Sequence, residues 1–226
     1  MNRSRIDYKN QAKQLMQGKY TNVIVIFIII SLIGGVFTAP TAANSMGAGV
    51  DAGGSFLSNI LNLVTLVLSA AFAYGTAKMF IGVTRDENPD LQNILLSGFK
   101  ENFVRNLICY FLTTLYTFLW ALLFIIPGII KAYAYSMNFY LLNKEPELDA
   151  QAAITKSKEY TKGYKADLFV LHLSYIGWYI LSIFTFGILL LWVVPKVQTA
   201  TMLYFDEIYA KRNPVVIKEE PAAILE

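Results

Sequence analysis

This chain has a single cysteine, a single histidine and few charges, and each scarcity removes a class of chemistry. Cys109 lies inside an apolar run, so neither a disulfide framework nor a thiol-based metal site can be built. His172 has no second histidine, no cysteine partner and no HExxH spacing beside it, so a zinc site has no ligand set. The GxSxG pattern of a serine nucleophile is absent, and so is the carboxylate pair that intramembrane aspartyl chemistry needs. The glycines Gly47, Gly49, Gly53 and Gly54 form no phosphate-binding loop between a strand and a helix.

What is abundant is apolar surface. Hydrophobic residues make up 55% of the 226 and charged ones only 15%, with a mean hydropathy of +0.46. That is the balance of a membrane protein. Uncharged residues gather in four runs, Val23–Ala39, Phe56–Ala77, Leu107–Ile130 and Leu168–Pro195. Each can cross roughly 30 Å of hydrocarbon as a helix. Ion-coupled transporters and pumps place ionisable groups within such spans; here the four runs contain only His172.

Three amphipathic segments precede apolar runs. Residues 1–22 carry Arg3, Arg5, Lys9, Lys13 and Lys19 around a stripe of Tyr8, Ala12, Leu15 and Met16. In 84–106, Leu91, Ile94, Leu95 and Phe99 form a stripe opposite Gln92, Asn93 and Lys100. In 143–166, Ala150, Ala153, Ile154, Ser157, Tyr160 and Tyr164 share a face, and Pro146 suits a first helical turn. The three end alike, in GKY, GFK and GYK, so Gly18, Gly98 and Gly163 read as helix stops at the membrane surface. Between the first two runs, residues 38–55 are small and lack Lys and Arg, as an outer loop would.

Counting positive residues sets the expected topology. With four single crossings, 6 of the 19 Lys and Arg fall outside and 13 inside. If the third and fourth runs turn back at Pro127-Gly128 and Pro195, six crossings form three hairpins, 17 of the 19 lie inside, and only Lys131 and Lys196 lie outside. The second arrangement obeys the positive-inside tendency better, and proline removes an amide donor where a turn is needed. Straight spans kinked at the prolines remain the alternative. The return arms Ile129–Leu142 and Val197–Tyr209 are short, about 21 Å at 1.5 Å per residue, and tilt or half-membrane packing would accommodate them. Lys131 and Lys196 are the candidate contacts for lipid headgroups on the outer surface. Asp206-Glu207 reads as a solvated helix end, and residues 213–226 as a disordered tail.

Three of these stretches also carry a family resemblance: IPGIIKAYAYSM at Ile126–Met137, AITKSKEYTKGYK at Ala153–Lys165, and LSYIGW with LLWVVP at Leu173–Trp178 and Leu191–Pro195. They resemble the bacterial integral-membrane family called domain of unknown function 975, and more distantly the membrane domain of some glycerophosphodiester phosphodiesterases. The resemblance runs from AKQLMQGKY at Ala12–Tyr20 to about Tyr204. It implies a multi-pass protein of Gram-positive cell membranes and supplies no reaction.

The expectation is therefore an all-α polytopic bundle of about six membrane segments in one domain, 1–212. Amphipathic helices at 1–22, 84–106 and 143–166 alternate with hairpins at 23–83, 107–142 and 167–210, and both termini are cytoplasmic. The expected role is a non-enzymatic scaffold or accessory protein that contacts lipid, anionic lipid included, and a membrane protein partner or a second copy. No catalytic, cofactor or metal set is read, and nothing suggests nucleic acid. A transporter or channel for a small or amphiphilic solute is the alternative.

Overall fold

The computed structural model describes residues 5–26, 28–29, 52–88 and 90–213, and every regular element among them is helical. Helix α1 is Arg5–Leu15 and is followed by helical residues 20–26. Then come α2 Ala52–Thr84, α3 Leu91–Lys100, α4 Phe103–Leu123, α5 Ile125–Tyr135, α6 Asn138–Lys144 and α7 Ala150–Tyr160. The chain closes with α8 Lys165–Leu173, α9 Ile176–Phe184 and α10 Leu190–Arg212. Among the described residues three stretches are long and apolar enough to cross a membrane: Asn59–Thr84, Phe103–Leu123 and Lys165–Phe184, the last made of α8 and α9 joined through a turn. Most of the expected first span and outer loop, and the tail, lie outside the described residues. The end of that loop, Ala52–Ser55, is the first turn of α2.

The third apolar run reverses direction, but not at its proline. Phe124 adopts an extended conformation (φ −159°, ψ 141°) and separates α4 from α5, while Pro127 and Gly128 sit in the first turn of α5. The reason is local: the first turn of a helix has no partners for its N–H groups, so a residue without one loses nothing there. The two arms then run antiparallel. Gly128 faces Ala121, where an added Cβ would come within 2.7 Å of the Ala121 Cα. Tyr135 meets Tyr116 at 6.1 Å between rings, Asn138 donates to Thr113 at 2.6 Å, and Arg105 reaches the Leu142 carbonyl at 3.4 Å.

The fourth run corrects the expectation more sharply. Pro195 marks no turn; it is the sixth residue of α10, one turn into a continuous helix of 23 residues. The reversal is at Phe186 and Gly187, both left-handed at φ +50° and +84°, a conformation that glycine adopts without a Cβ penalty. The return arm is consequently long, about 34 Å at 1.5 Å per residue, and not the short arm that a turn at Pro195 would leave. His172 bridges to Thr201 at 3.0 Å and Tyr204 to Asp167 at 3.4 Å across this second antiparallel pair.

The three glycine stops divide in the same way. Gly18 and Gly163 take left-handed conformations at φ +79° and +93° with open space around them, as helix stops do. Gly98 lies inside α3 instead. A Cβ there would stand 2.1 Å from the Ala71 carbonyl oxygen, so its role is to let α3 close on the small-residue face of α2. The break after α3 falls at Asn102, φ +50°. Helix α7 begins at Ala150 with Asp149 accepting from the Gln151 N–H at 3.2 Å, so Pro146 belongs to the preceding turn.

The core sits at the feet of the hairpins, where the amphipathic helices dock. Tyr8 and Ala12 of α1 pack with Leu171, Tyr175, Val193 and Ala200. Ala150, Ala153 and Ile154 of α7 pack with Cys109, Ala134 and Leu142. Ser157 clamps this contact, donating to the Ala134 carbonyl at 2.9 Å and accepting from the Met137 N–H at 3.2 Å. Away from these feet both hairpin tips are apolar and exposed.

Replacing Gly98 by Ala forces α3 off α2, since its new Cβ meets backbone. A loss of about 1–3 kcal/mol, the usual range for overpacking, is expected in chemical unfolding of the detergent-solubilised protein. Gly18→Ala, with open space and only backbone strain, should lose about 1 kcal/mol.

Candidate functional site

Two groups of lysines stand out in this fold. Those of the first group meet carboxylates, and four carboxylates are each matched by one lysine and one tyrosine hydroxyl. Asp206 accepts from Tyr140 at 2.5 Å and Thr84 at 3.1 Å and lies 3.3 Å from Lys144. Glu145 takes Lys156 at 2.6 Å and Tyr209 at 3.1 Å. Glu101 takes Tyr74 at 2.8 Å together with Lys78, and Glu207 takes Tyr8 together with Lys211. These sets tie α2 to α6 and α10, α6 to α7, α2 to the α3–α4 junction, and α1 to α10. Asp206 and Glu207, expected as a solvated helix end, are therefore the polar joints of the bundle.

Partial burial strengthens such joints by lowering the local dielectric. Desolvation alone would raise the Glu101 carboxyl, but the hydrogen bonds from Lys78 and Tyr74 outweigh it and hold the group below its ordinary pKa. Desolvation likewise works to lower Lys156, and the hydrogen bond and charge of Glu145 outweigh it, so its pKa rises. Neither pairing is visible in sequence, because each joins residues of different helices.

The second group comprises Lys9, Lys13, Lys131, Lys158 and Lys196. None of the ion pairs among the described residues involves any of them. Three of them face aromatic rings, as Lys144, Lys156 and Lys211 of the first group also do. Lys131 stands 4.3 Å from the centre of the Trp120 ring, Lys9 4.5 Å from Tyr175 and Lys196 5.6 Å from Tyr20. Each such contact is worth about 0.5–1 kcal/mol when exposed, too little to neutralise the ammonium group.

These lysines line two cavities, one at the foot of each hairpin. An open, surface-facing cavity of about 290 Å³ is bounded by Lys131 and Lys158 with Tyr116, Trp120, Tyr135 and Thr155. One of about 180 Å³ is bounded by Lys9, Lys13 and Lys196 with Tyr175, Trp178 and Trp192. The residues that line them include no Asp or Glu, while all three tryptophans of the chain are among them. A pair of ammonium groups framed by amphipathic rings, with no anion of its own, is suited to hold a phosphate-bearing headgroup.

This arrangement revises the sequence expectation for Lys131 and Lys196. They were assigned to the outer face and Lys9, Lys13 and Lys158 to the inner one; in the structure Lys131 shares a cavity with Lys158, and Lys196 with Lys9 and Lys13. Lys131, Lys158 and Lys162 also lie close enough to Lys165 to repel its ammonium group. The observed turns, at Phe124 and Phe186–Gly187, lie farther upstream than Pro127 and Pro195, so Lys131 and Lys196 sit farther along their return arms, beside the other lysines.

His172 is a structural clamp. Thr201 donates its hydroxyl to the Val197 carbonyl at 2.8 Å, so the His172 Nε2 proton points at Thr201, and Nδ1 accepts from Tyr133 at 2.9 Å. That pattern fits the neutral ring. Asn138 is buried against Thr113, and Ser136 is exposed and bonded to the Tyr133 carbonyl. Among the described residues no three His, Cys, Asp or Glu side chains gather to hold a metal ion.

A family model described as a protein of unknown function (DUF975) matches residues 1–132 and 122–212. No curated protein and no solved structure matches the chain, so the more distant phosphodiesterase likeness finds no support.

The Glu101 joint gives a pH dependence with a defined sign. Because its folded pKa is depressed, its contribution is complete above the unfolded carboxylate value, about 4.3, and is lost as pH falls through the folded value. The melting temperature in detergent should decline over that acidic window, and Glu101→Gln should start lower at neutral pH and decline less.

Proposed function

The chain belongs to the family described as a protein of unknown function (DUF975), which brings no reaction with it, and from that premise we propose a non-enzymatic membrane protein that gathers anionic lipid. The observation that carries this reading is the pair of lysine and tryptophan cavities with no carboxylate in their lining. Helices long and apolar enough to cross a bilayer supply the membrane setting. The headgroup's phosphate sits between the lysines, its acyl chains lie along the apolar hairpin above, and the tryptophans fix the level of the interface. The protein serves as a scaffold, holding such lipids beside itself for a membrane partner or a second copy.

Its place is the cell membrane, as a multi-pass protein with the lysine-rich end toward the cytoplasm. The joint between Tyr8 and Glu207 supports placing both termini on that side, since it fastens α1 to the last turns of α10.

Protein purified from membranes in a mild detergent should carry phosphatidylglycerol or cardiolipin in excess over the bulk composition, measured by mass spectrometry of the bound lipids. Each lysine near an anionic surface contributes about 1 kcal/mol, roughly fivefold in occupancy. Lys131→Gln with Lys158→Gln should therefore release most of the lipid held at the second hairpin, and Lys196→Gln part of that at the third. Bound lipid of bulk composition, unchanged in these variants, would reject the reading. Solute flux through liposomes reconstituted with the wild-type protein would favour a transporter instead.

A further inference from the structure

The tips of the two hairpins are unlike loops that emerge into water. Leu122, Leu123, Phe124, Ile125 and Ile126 are 64–76% exposed, and Ile183, Phe184, Phe186 and Ile188 are 62–97% exposed. Neither tip carries a charged side chain. Thr185 is the one polar residue between Ile183 and Ile188 apart from the backbone, and its hydroxyl donates to the Ser182 carbonyl at 3.1 Å.

The N–H groups of the second tip are paired throughout. Every N–H from Thr185 to Trp192 finds an acceptor within the turn: Ser182, Ile183 and Ser182 again for residues 185–187, and Thr185 for Ile188. The Leu189 N–H uses the Thr185 hydroxyl at 3.3 Å, and Leu190, Leu191 and Trp192 take Gly187, Ile188 and Leu189. In the first tip the Phe124 N–H bonds to Trp120 and the Gly128 N–H to Phe124, both at 3.1 Å, and Pro127 has none to place, while the opening residues of α5, Ile125 and Ile126, have no side-chain cap. A turn in water has no need of the complete N–H pairing of the second tip; in hydrocarbon that pairing removes much of the cost of reversing the chain.

The depth agrees. Lys131 follows Phe124 by seven residues and Lys196 follows Gly187 by nine, about 10 and 14 Å of helix at 1.5 Å per residue. Half of a hydrocarbon core of roughly 30 Å is about 15 Å. At the foot of each tip stand the lysines, level with Trp178, eight residues before Phe186, while Trp120 and Trp192 lie four and five residues from the turns, about 6 and 8 Å toward the lysines at 1.5 Å per residue.

Resting on the lipid-binding reading above, we propose that both hairpins are re-entrant: they enter from the lysine-rich face, turn within the hydrocarbon and return to the same face. Phe124 and Phe186 lie among the acyl-chain ends near the bilayer centre. Of the described candidate spans only α2 crosses completely. Two wedges driven into one leaflet displace lipid on one side of the membrane alone, so the partner of this surface is the acyl region of the lysine-side leaflet.

Single cysteines at Phe124 and Phe186, each in a Cys109→Ala background, test this. In intact cells and in inside-out vesicles a membrane-impermeant maleimide should label neither position, whereas full labelling returns after denaturation in SDS. Nitroxides at the same positions, in the protein reconstituted in phosphatidylglycerol-containing bilayers, should be relaxed by oxygen and not by a water-soluble nickel chelate. Labelling of either tip from outside intact cells overturns the re-entrant geometry and leaves the lysine cavities and their lipid test untouched. Labelling of the tips from the lysine-rich side removes them from hydrocarbon altogether and overturns it too. Bulk-composition lipid together with unlabelled tips would reject the headgroup cavities and keep the wedges. Phe124→Asp gives a second measure: in a crossing hairpin it faces outer water and membrane-bound yield is unchanged, while in a re-entrant one that yield should drop several-fold.

Discussion

A peptide group left unpaired in an apolar medium costs several kcal/mol, and this chain must reverse its direction between apolar helices. How it reverses governs the rest of the fold. Phe124 interrupts a helix for one residue and hands the next helix a proline in its first turn. Phe186 and Gly187 turn through two left-handed residues while the N–H groups around them remain bonded. Because both reversals come early, Lys131 and Lys196 return to the end of the molecule that holds the other lysines.

At that end, two uses of positive charge lie side by side. Carboxylates with a tyrosine and a lysine each lock helices far apart in sequence, so that Asp206 alone joins α2, α6 and α10. Lys9, Lys131 and Lys196 rest against aromatic rings with no carboxylate beside them, Lys9 also donating to the Ser174 carbonyl at 3.3 Å. An isolated exposed ion pair is worth about 0–1 kcal/mol, so the joints add definition to a core made mostly of small and apolar contacts. The free lysines give the same end an electrostatic preference for anions, and the apolar tips above them give it a preference for acyl chains. The proposal of anionic lipid rests on these two preferences together.

Much of the fold was legible beforehand. The helical class and the buried faces of α1 and α7 follow from a period of 3.6 residues and from composition, which are local properties. Left-handed stops at Gly18 and Gly163 were equally readable, since glycine at the end of an amphipathic stretch has one common use. Gly98 occurs in the same three-letter context yet serves a close approach to Ala71, a use defined by a residue 27 positions away. Pro195 was misleading for a similar reason. Proline is the louder signal for a break, but it is tolerated one turn into a helix, and the quieter Phe186-Gly187 took the reversal.

By itself the sequence determined that this is an all-helical chain with apolar runs of membrane length, that its charges are confined to the segments between them, and that familiar catalytic and metal patterns are missing. Those facts depend on residue type and short-range spacing alone. The tertiary structure decided where the runs fold back, which carboxylates join which helices, and that Lys131 and Lys196 sit with Lys158 and with Lys9 and Lys13. The physical reason is one of length: a turn displaced by three residues at Phe124, or by eight at Gly187, leaves the local periodicity intact but moves a lysine about 5–12 Å along the helix axis at 1.5 Å per residue, enough to carry it from one face of a leaflet toward the other.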